Sequence, residues 1–217
     1  MDPVGYYPVF LELGGRRCLV VGGGEVAAGK VRGLLEAGAQ VTVVAPRLAE
    51  SLRGLLEAGK LRHTPREYRE ADLEGHELCF VATDDGLVNG RVAADCRRRG
   101  IWVNAADDPA NCDFILPAVV RRGEVVVAAS TGGASPALAR RLREELTAFL
   151  DEDYAPLADL LRDARSEVRS RGLKVDPETW QRAIDARLRA LVAQRRLGEA
   201  RAYLLEGLGV SAAAPEA

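Results

Sequence analysis

The chain has 217 residues, of which 47% are apolar and 29% charged, and its 30 basic and 32 acidic side chains leave a net charge of −2. This composition predicts a globular protein with a substantial core and argues against general disorder. The small net charge excludes a bulk attraction to nucleic acid or to anionic membranes, and no apolar run reaches the roughly 18 to 20 residues of a membrane span.

The cysteines and histidines bear on compartment and metal binding. Cys18, Cys79, Cys96 and Cys112 are far apart and form no Cys-x-x-Cys pair, and the chain has only two histidines. This pattern argues against a His/Cys metal site and favours free, reduced thiols. The N-terminus lacks a basic segment followed by an apolar one, so we expect no signal peptide and a cytoplasmic protein.

Strand and helix patterns alternate over the first hundred residues. The predicted strands are 17–21, 41–45, 78–82 and 101–104, and the predicted helices are 25–37, 48–58 and 87–99. In the first helix, the residues spaced for one packed face are Val26, Gly29, Lys30, Gly33, Leu34 and Ala37. Apolar strands separated by helices are typical of a parallel sheet covered on both faces. Residues 1–112 are therefore predicted to form a doubly wound α/β domain.

The pattern changes after residue 112. Two apolar runs, 114–120 and 125–129, are joined by a short turn containing glycine, which favours an antiparallel hairpin. Ser135 and Pro136 then form an N-cap pair that begins a helix ending near residue 150. We assign 113–150 to a small α+β segment and 151–217 to a helical domain, in which a second helix starts at Asp176 and is broken by Gly198.

A glycine cluster follows the first strand and opens the first helix. Residues 22–27, Gly-Gly-Gly-Glu-Val-Ala, fit the pattern G-x-G-x-x-A. Gly22 permits the tight turn, Gly24 lets a pyrophosphate approach the backbone, and Ala27 keeps the helix close to the sheet. The helix N-terminus adds unpaired N–H groups for the phosphates. We therefore predict a Rossmann-like dinucleotide-binding domain; the alternative is a purely structural glycine turn.

The ends of the next strands carry the other candidate cofactor residues. The second strand ends in Pro46 and Arg47 instead of the acidic residue that binds the adenosine ribose. Arg47 fits a 2′-phosphate, and hence NADP, or it is solvated, so the residues alone leave NAD and NADP open. Thr83 and Asp84 follow the third predicted strand at the edge where ligands bind, and the same stretch suits an N-cap for the following helix.

Asp107 follows the fourth predicted strand at the same edge of the sheet. A carboxylate at this position is suited to general acid–base catalysis. The alternative is a turn in which Asp107 bonds its own backbone, and Asp113 and then Asp108 compete for the catalytic role. Neither histidine is a candidate, because His63 and His76 lie in polar, loop-like stretches and are expected at the surface.

Six motifs occur together in an order that resembles the precorrin-2 dehydrogenase family, the NAD-dependent module of siroheme synthase. They are Tyr7-Pro8-Val9-Phe10-Leu11, Val21-Gly22-Gly23-Gly24-Glu25-Val26-Ala27 with Lys30, Ala82-Thr83-Asp84-Asp85, Asn104-Ala105-Ala106-Asp107, Cys112-Asp113-Phe114-Ile115-Leu116-Pro117-Ala118 and Ser130-Thr131-Gly132-Gly133-Ala134-Ser135-Pro136. The resemblance covers residues 5 to about 150, and the methyltransferase domain of the multifunctional siroheme synthases is expected to be absent.

The resemblance implies NAD-dependent oxidation of precorrin-2 to sirohydrochlorin, with insertion of ferrous iron as a second activity in some members. It also implies a homodimer in which the segment after the nucleotide domain crosses to the partner. The implied catalytic residue is Asp107. The residues expected to bind the cofactor are Gly22, Gly24, Glu25, Val26, Pro46, Arg47, Thr83, Asp84 and Asn104.

The implied substrate carries eight carboxylates, which require cations and backbone donors. The loop before the Ser135–Pro136 helix start, together with an arginine of that helix, is the best candidate receptor. The expected substrate-binding residues are Ser130, Thr131, Gly132, Gly133, Ser135 and Arg140. A competing hypothesis is an NAD-sensing regulatory module without tetrapyrrole turnover, and another is a scaffold with a structural glycine loop. The sensing module would leave Asp107, the hairpin and the 130–135 loop without a function.

Overall fold

Five short segments form one parallel sheet with the strand order β3-β2-β1-β4-β5. The strands are β1 (Arg17–Val21), β2 (Gln40–Val44), β3 (Leu61–Thr64), β4 (Leu78–Val81) and β5 (Trp102–Ala105). This computed structural model describes residues 5–210 and divides them into two units, 5–116 and 117–210. The sequence analysis expects no signal peptide at the N-terminus, whose first four residues lie outside the described part of the chain.

Helices cover both faces of the sheet. They are α1 (Glu25–Glu36), α2 (Glu50–Glu57) and α3 (Gly86–Arg98). One face packs Val20 of β1 against buried residues of α1 and α2, and the other packs Leu19 against buried residues of α3. Because their side chains are buried on both faces, the inner strands β1 and β4 are almost entirely apolar. The prediction of a doubly wound parallel sheet is confirmed.

The predicted surface position of His63 is wrong. His63 lies on β3, which the sequence analysis missed, and its Nε2 is 2.9 Å from the carbonyl oxygen of Ala45. Only Leu61 is fully buried in this strand, so its Leu-Arg-His-Thr sequence shows no apolar run. His76 is also half-buried rather than exposed.

The predicted packed face of α1 is partly wrong. The buried residues are Ala27, Ala28, Val31 and Leu34, whereas Val26, Gly29 and Gly33 are exposed. The face was misplaced because glycine fits any helical spacing without burying a side chain. The consequence for the site is that Lys30 lies at the border between the buried and exposed faces.

The second unit begins with an antiparallel hairpin, β6 (Ala118–Arg122) and β7 (Val125–Ala129), followed by α4 (Pro136–Phe149). Ser135 caps α4, since its Oγ accepts a hydrogen bond from the backbone N–H of Leu138 at 3.2 Å. The hairpin and the Ser-Pro helix start agree with the sequence analysis. No residue of α4 is fully buried in the described structure.

Four further helices share a core of their own. They are α5 (Tyr154–Ser170), α6 (Pro177–Ala183), α7 (Ala186–Ala193) and α8 (Leu197–Gly207). The single helix predicted after Asp176 is wrong, because the chain breaks at Ile184 and Asp185 caps α7 by accepting the N–H of Leu188 at 2.8 Å. Gly198 does not break a helix; it lies within α8.

The helices between residues 5 and 210 include none that combines the length and the apolar character of a membrane span.

Candidate functional site

The ends of four strands are aligned at one edge of the sheet. The N–H of Gly22 donates to the carbonyl of Val44 (3.0 Å), that of Ala82 to Val21 (2.8 Å) and that of Ala106 to Val81 (2.8 Å). From β1 the chain continues to β2 and β3 on one side, while β4 and β5 lie on the other. Ligands of open α/β sheets bind at such a switch point, outside the carboxyl ends of the strands.

The glycine loop has the shape that a dinucleotide phosphate requires. Gly22 has a φ of +122°, and a Cβ there would lie 2.1 Å from the carbonyl oxygen of Ala82; at Gly23 it would lie 2.0 Å from that of Arg47. Nothing lies within 4 Å of a Cβ placed on Gly24, the N-cap residue of α1, and no side chain caps this helix. The N-terminus of α1 thus presents its backbone donors to open space, which fits a pyrophosphate.

The residues expected to flank the cofactor are placed around this loop. Glu25 accepts hydrogen bonds from the hydroxyl of Ser51 on α2 (3.0 and 3.1 Å), and the side chain of Val26 is 55% exposed. Pro46 and Arg47 are exposed on the loop after β2. The Arg47 guanidinium makes no ion pair with the described residues, so its role toward an anion stays a prediction.

The loop after β4 combines capping with a free carboxylate. Asp85 caps α3, because its Oδ1 accepts the N–H groups of Leu87 (2.8 Å) and Val88 (3.2 Å). The Thr83 hydroxyl is 2.6 Å from Oδ1 of the buried Asn89. Asp84 is exposed and has no hydrogen bond within the described structure. The capping role therefore belongs to Asp85, and it leaves Asp84 available to a ligand.

The three candidate carboxylates after β5 differ in what they already bind. Asp108 accepts the amide of Asn111 at 2.7 Å. Asp113 accepts the backbone N–H of Val103 at 3.1 Å and pairs with Arg97 at 3.2 Å. Asp107 is exposed and makes no hydrogen bond or ion pair with residues 5–210. Only Asp107 is therefore free to exchange a proton with a ligand.

The backbone of Asp107 is held in an unusual conformation. Its φ of +57° lies in the left-handed region, which few residues other than glycine adopt. The Cys112 sulfur fixes the start of this loop, accepting the N–H of Ala105 at 3.2 Å and lying 3.1 Å from its carbonyl oxygen. Asn104 is buried, and its amide donates to the carbonyl of Phe114 at 2.9 Å. Sequence reasoning missed the role of Cys112, because its contacts are with backbone atoms seven residues away.

Lys30 is a second residue whose place in the site was missed. It is half-buried on α1. Burial is the main reason why the pKa of its ammonium group is lowered, and the electrostatic influence of Asp107 and Cys112 opposes that shift. Burial likewise raises the pKa of the Cys112 thiol, which favours its neutral form. Lys30 is thus a cation within electrostatic reach of Asp107.

The expected substrate-binding residues lie in the second unit. The Ser130 hydroxyl accepts the N–H of Gly132 (3.0 Å), and the Thr131 hydroxyl accepts that of Ser135 (3.2 Å). Gly132 and Gly133 have positive φ values of 62° and 86°. Their hydroxyl partners thus order the loop itself. Arg140 is exposed, without a hydrogen-bonding or charged partner among the described residues.

The described residues contain no group of three His, Cys, Asp or Glu side chains suited to hold a metal ion.

Comparison with known proteins places this geometry in a family. A family model described as "Putative NAD(P)-binding" matches residues 9–118, and one described as "Sirohaem biosynthesis protein central" matches residues 123–148. The siroheme synthase of Methylococcus capsulatus is 41% identical over 213 residues, which are 95% of this chain and 44% of the relative. That of Chromobacterium violaceum is 42% identical over 92% of this chain and 43% of its own length. The chain thus spans less than half the length of these curated relatives.

A solved structure matches over nearly its whole length. The structure titled "SirC, precorrin-2 dehydrogenase" has a TM-score of 0.73 and 34% sequence identity, and the match covers 89% of this chain and 98% of that one. Both the nucleotide-binding unit and the segment after it are therefore matched, and the chain belongs to the precorrin-2 dehydrogenase family that siroheme synthases share.

Proposed function

We propose that this protein oxidises precorrin-2 to sirohydrochlorin with NAD as the hydride acceptor. Two features at the same edge of the sheet support the proposal. The Asp107 carboxylate has no hydrogen-bonding or ion-pair partner among the described residues, and the glycine loop has the open backbone that a pyrophosphate requires. The near-complete match with SirC and the names of the siroheme synthases support the same activity. The relatives offer no support for a purely nucleotide-sensing module.

The reaction removes two electrons and two protons from the substrate. When bound at the glycine loop, NAD would supply the hydride acceptor, which accounts for both electrons and one proton. Asp107 takes the remaining proton from a ring carbon or pyrrole nitrogen and releases it to solvent, since the carboxylate is exposed. The glycine loop and the N-terminus of α1 hold the pyrophosphate, and Val26 offers apolar surface beside it. The remaining residues assigned to the cofactor are Glu25, Pro46, Arg47, Thr83, Asp84 and Asn104.

The second unit supplies the substrate-binding loop and the dimer contact of the proposal. Arg140 and the backbone donors of loop 130–135 bind substrate carboxylates. A homodimer is supported by the apolar stripe of α4, in which Leu138 is 50% and Phe149 69% exposed. All four cysteines are free thiols, which fits the reducing cytoplasm.

The test is an anaerobic assay with purified protein, precorrin-2 and NAD, followed by visible absorption. Asp107→Asn keeps the size of the side chain and tolerates the left-handed backbone, so we expect kcat to fall about 100- to 10,000-fold with the fold intact. The control is Asp108→Asn, the same charge change one residue away, with activity within about threefold.

Three results would contradict parts of this proposal. Turnover in Asp107→Asn close to that of the unaltered protein would remove Asp107 from the proton transfer. Faster turnover with NADP than with NAD would reassign the cofactor, with Arg47 as the 2′-phosphate receptor. No turnover with either nucleotide would overturn the activity. Adding ferrous iron to the same assay tests the iron insertion that the family resemblance allows.

A further inference from the structure

The two sides of α1 face different halves of the sheet. Glu25 is bonded to Ser51 of α2, so this side of α1 faces α2. Lys30 lies five residues further on, about 140° around the helix axis, and so faces away from α2. Phe114 packs against the core cluster to which the buried residues of α1 belong, and it meets the ring of Phe80 edge-on at 5.5 Å between centroids. Phe114, in the chain after Asp107, therefore packs on the same sheet face as α1, next to Phe80 of β4.

The Lys30 ammonium interacts electrostatically with Asp107 but has no hydrogen-bonding or ion-pair partner in the described part of the chain, although it is half-buried. Removing part of the hydration shell of a cation without a compensating contact opposes folding. The lowered pKa of Lys30 is consistent with this cost. The electrostatic interaction with Asp107 offsets this cost only in part, so a ligand anion in direct contact with the ammonium would compensate it further.

The position of Lys30 separates it from the pyrophosphate site. Gly24, at the N-terminus of α1, is six residues earlier, which corresponds to about 9 Å along the helix axis. The charges that influence Lys30 are instead Asp107 and Cys112 of the loop after β5. An anion that meets Lys30 would thus lie near Asp107, the proposed proton-transfer group.

We propose that Lys30 is a substrate-binding residue whose ammonium group binds a carboxylate of the tetrapyrrole beside Asp107. This assignment rests on the proposed function, since a substrate with carboxylates around its rim brings one of them next to the reacting carbon. The carboxylate completes the coordination of the cation, and the cation in turn fixes which edge of the macrocycle faces Asp107.

The experiment measures Lys30→Gln, Lys30→Arg and the unaltered protein in the NAD-dependent assay, together with Kd for NAD and for sirohydrochlorin, a tetrapyrrole with the same carboxylates. We expect Lys30→Gln to raise KM for precorrin-2 and Kd for sirohydrochlorin about five- to tenfold. Kd for NAD stays within about twofold, and Lys30→Arg recovers part of the loss because its charge remains.

Two controls separate binding from structure. Arg32→Gln removes a positive charge from an exposed position of the same helix, about 200° around the axis from Lys30, and is expected to leave all three constants unchanged. Lys30→Met is expected to leave the melting temperature unchanged or to raise it, since the ammonium has no hydrogen-bonding or ion-pair partner in the described part of the chain. A fall of several degrees would show a structural role and overturn the proposal.

The remaining outcomes distinguish this proposal from the proposed function. Unchanged KM and Kd for the tetrapyrroles in Lys30→Gln would overturn the role of Lys30 alone, and a rise confined to Kd for NAD would reassign Lys30 to the cofactor. If the unaltered protein binds sirohydrochlorin but does not oxidise precorrin-2, the proposed function fails while the binding comparison still decides the role of Lys30. If it binds neither tetrapyrrole, both proposals fail.

Discussion

The parallel sheet and the hairpin–helix segment (β6, β7 and α4) use apolar side chains in opposite ways. In the sheet unit, Leu19, Val20 and Leu52 have no exposed surface at all. In the hairpin–helix segment only Val120 is fully buried, and α4 has no buried residue within the described structure. The sheet thus completes its own core, whereas the segment keeps an exposed apolar face, the feature on which the proposed dimer contact rests.

The largest expected difference between the two regions is in stability. Leu52→Ala leaves a cavity between α2 and the sheet and should lower the free energy of unfolding by about 3 kcal/mol. Leu138→Ala, the same change on α4, should cost less than about 1 kcal/mol in the monomer, because half of the side chain is already exposed. Urea unfolding at low protein concentration compares the two, and equal losses would show that α4 is buried within one chain.

A smaller effect is expected on self-association. Leu138→Glu places a charge in the apolar stripe of α4 and should raise the dissociation constant of the dimer about tenfold or more, equivalent to at least about 1.4 kcal/mol. Sedimentation equilibrium measures this constant. Ala148→Glu is the matched control, because Ala148 is exposed and lies off the stripe. An unchanged dimer in Leu138→Glu, or a monomeric unaltered protein, would contradict the interface assigned to α4.

The smallest effect concerns a polar defect in the sheet unit. Nδ1 of His76 is buried without a hydrogen-bond partner among the described residues, and burial is the main cause that lowers the pKa of His76 below 6.5. At pH values between the ordinary pKa of histidine and the lowered pKa of His76, the unfolded chain therefore binds a proton that the folded chain does not. This contribution to stability is complete above about pH 6.5 and decreases as the pH falls through that window.

His76→Gln removes this titration. Between pH 8 and pH 5, the free energy of unfolding of the unaltered protein should fall more than that of the variant, by less than about 1 kcal/mol. Urea midpoints at the two pH values measure the change. A difference that is independent of pH would mean that His76 is solvated in the folded protein.

Where the sequence carries strong local signals, it was sufficient to predict the structure. Apolar runs identified β1, β2, β4 and β5, and the glycine cluster identified the turn at Gly22. Strand β3 has one buried apolar residue, Leu61, because an edge strand needs little burial. The break between α6 and α7 was missed because Asp185 fits the helical spacing, although it is also a good N-cap.

From the sequence, the candidate site residues could be predicted only where a single residue stands at a recognisable position in the strand–helix pattern. Asp107 and Gly24 were identified by their place after a strand and before a helix. The family resemblance already favoured Asp107 over Asp113 and Asp108, and the structure adds which of these carboxylates are bonded within the chain. The proximity of Lys30 to Asp107 and Cys112 is a tertiary arrangement, and no local sequence pattern indicates it.

The left-handed backbone of Asp107 also limits how this site can vary. Among side chains able to act as general bases, aspartate and histidine adopt positive φ more readily than most, and asparagine and glycine retain the backbone while removing the base. A change to glutamate keeps the charge but places a longer side chain on a strained residue. The neighbourhood of β5 therefore accepts loss of the Asp107 carboxylate more easily than its replacement by an equivalent base. If Asp107 transfers the proton as proposed, inactive variants with an intact fold are a single substitution away.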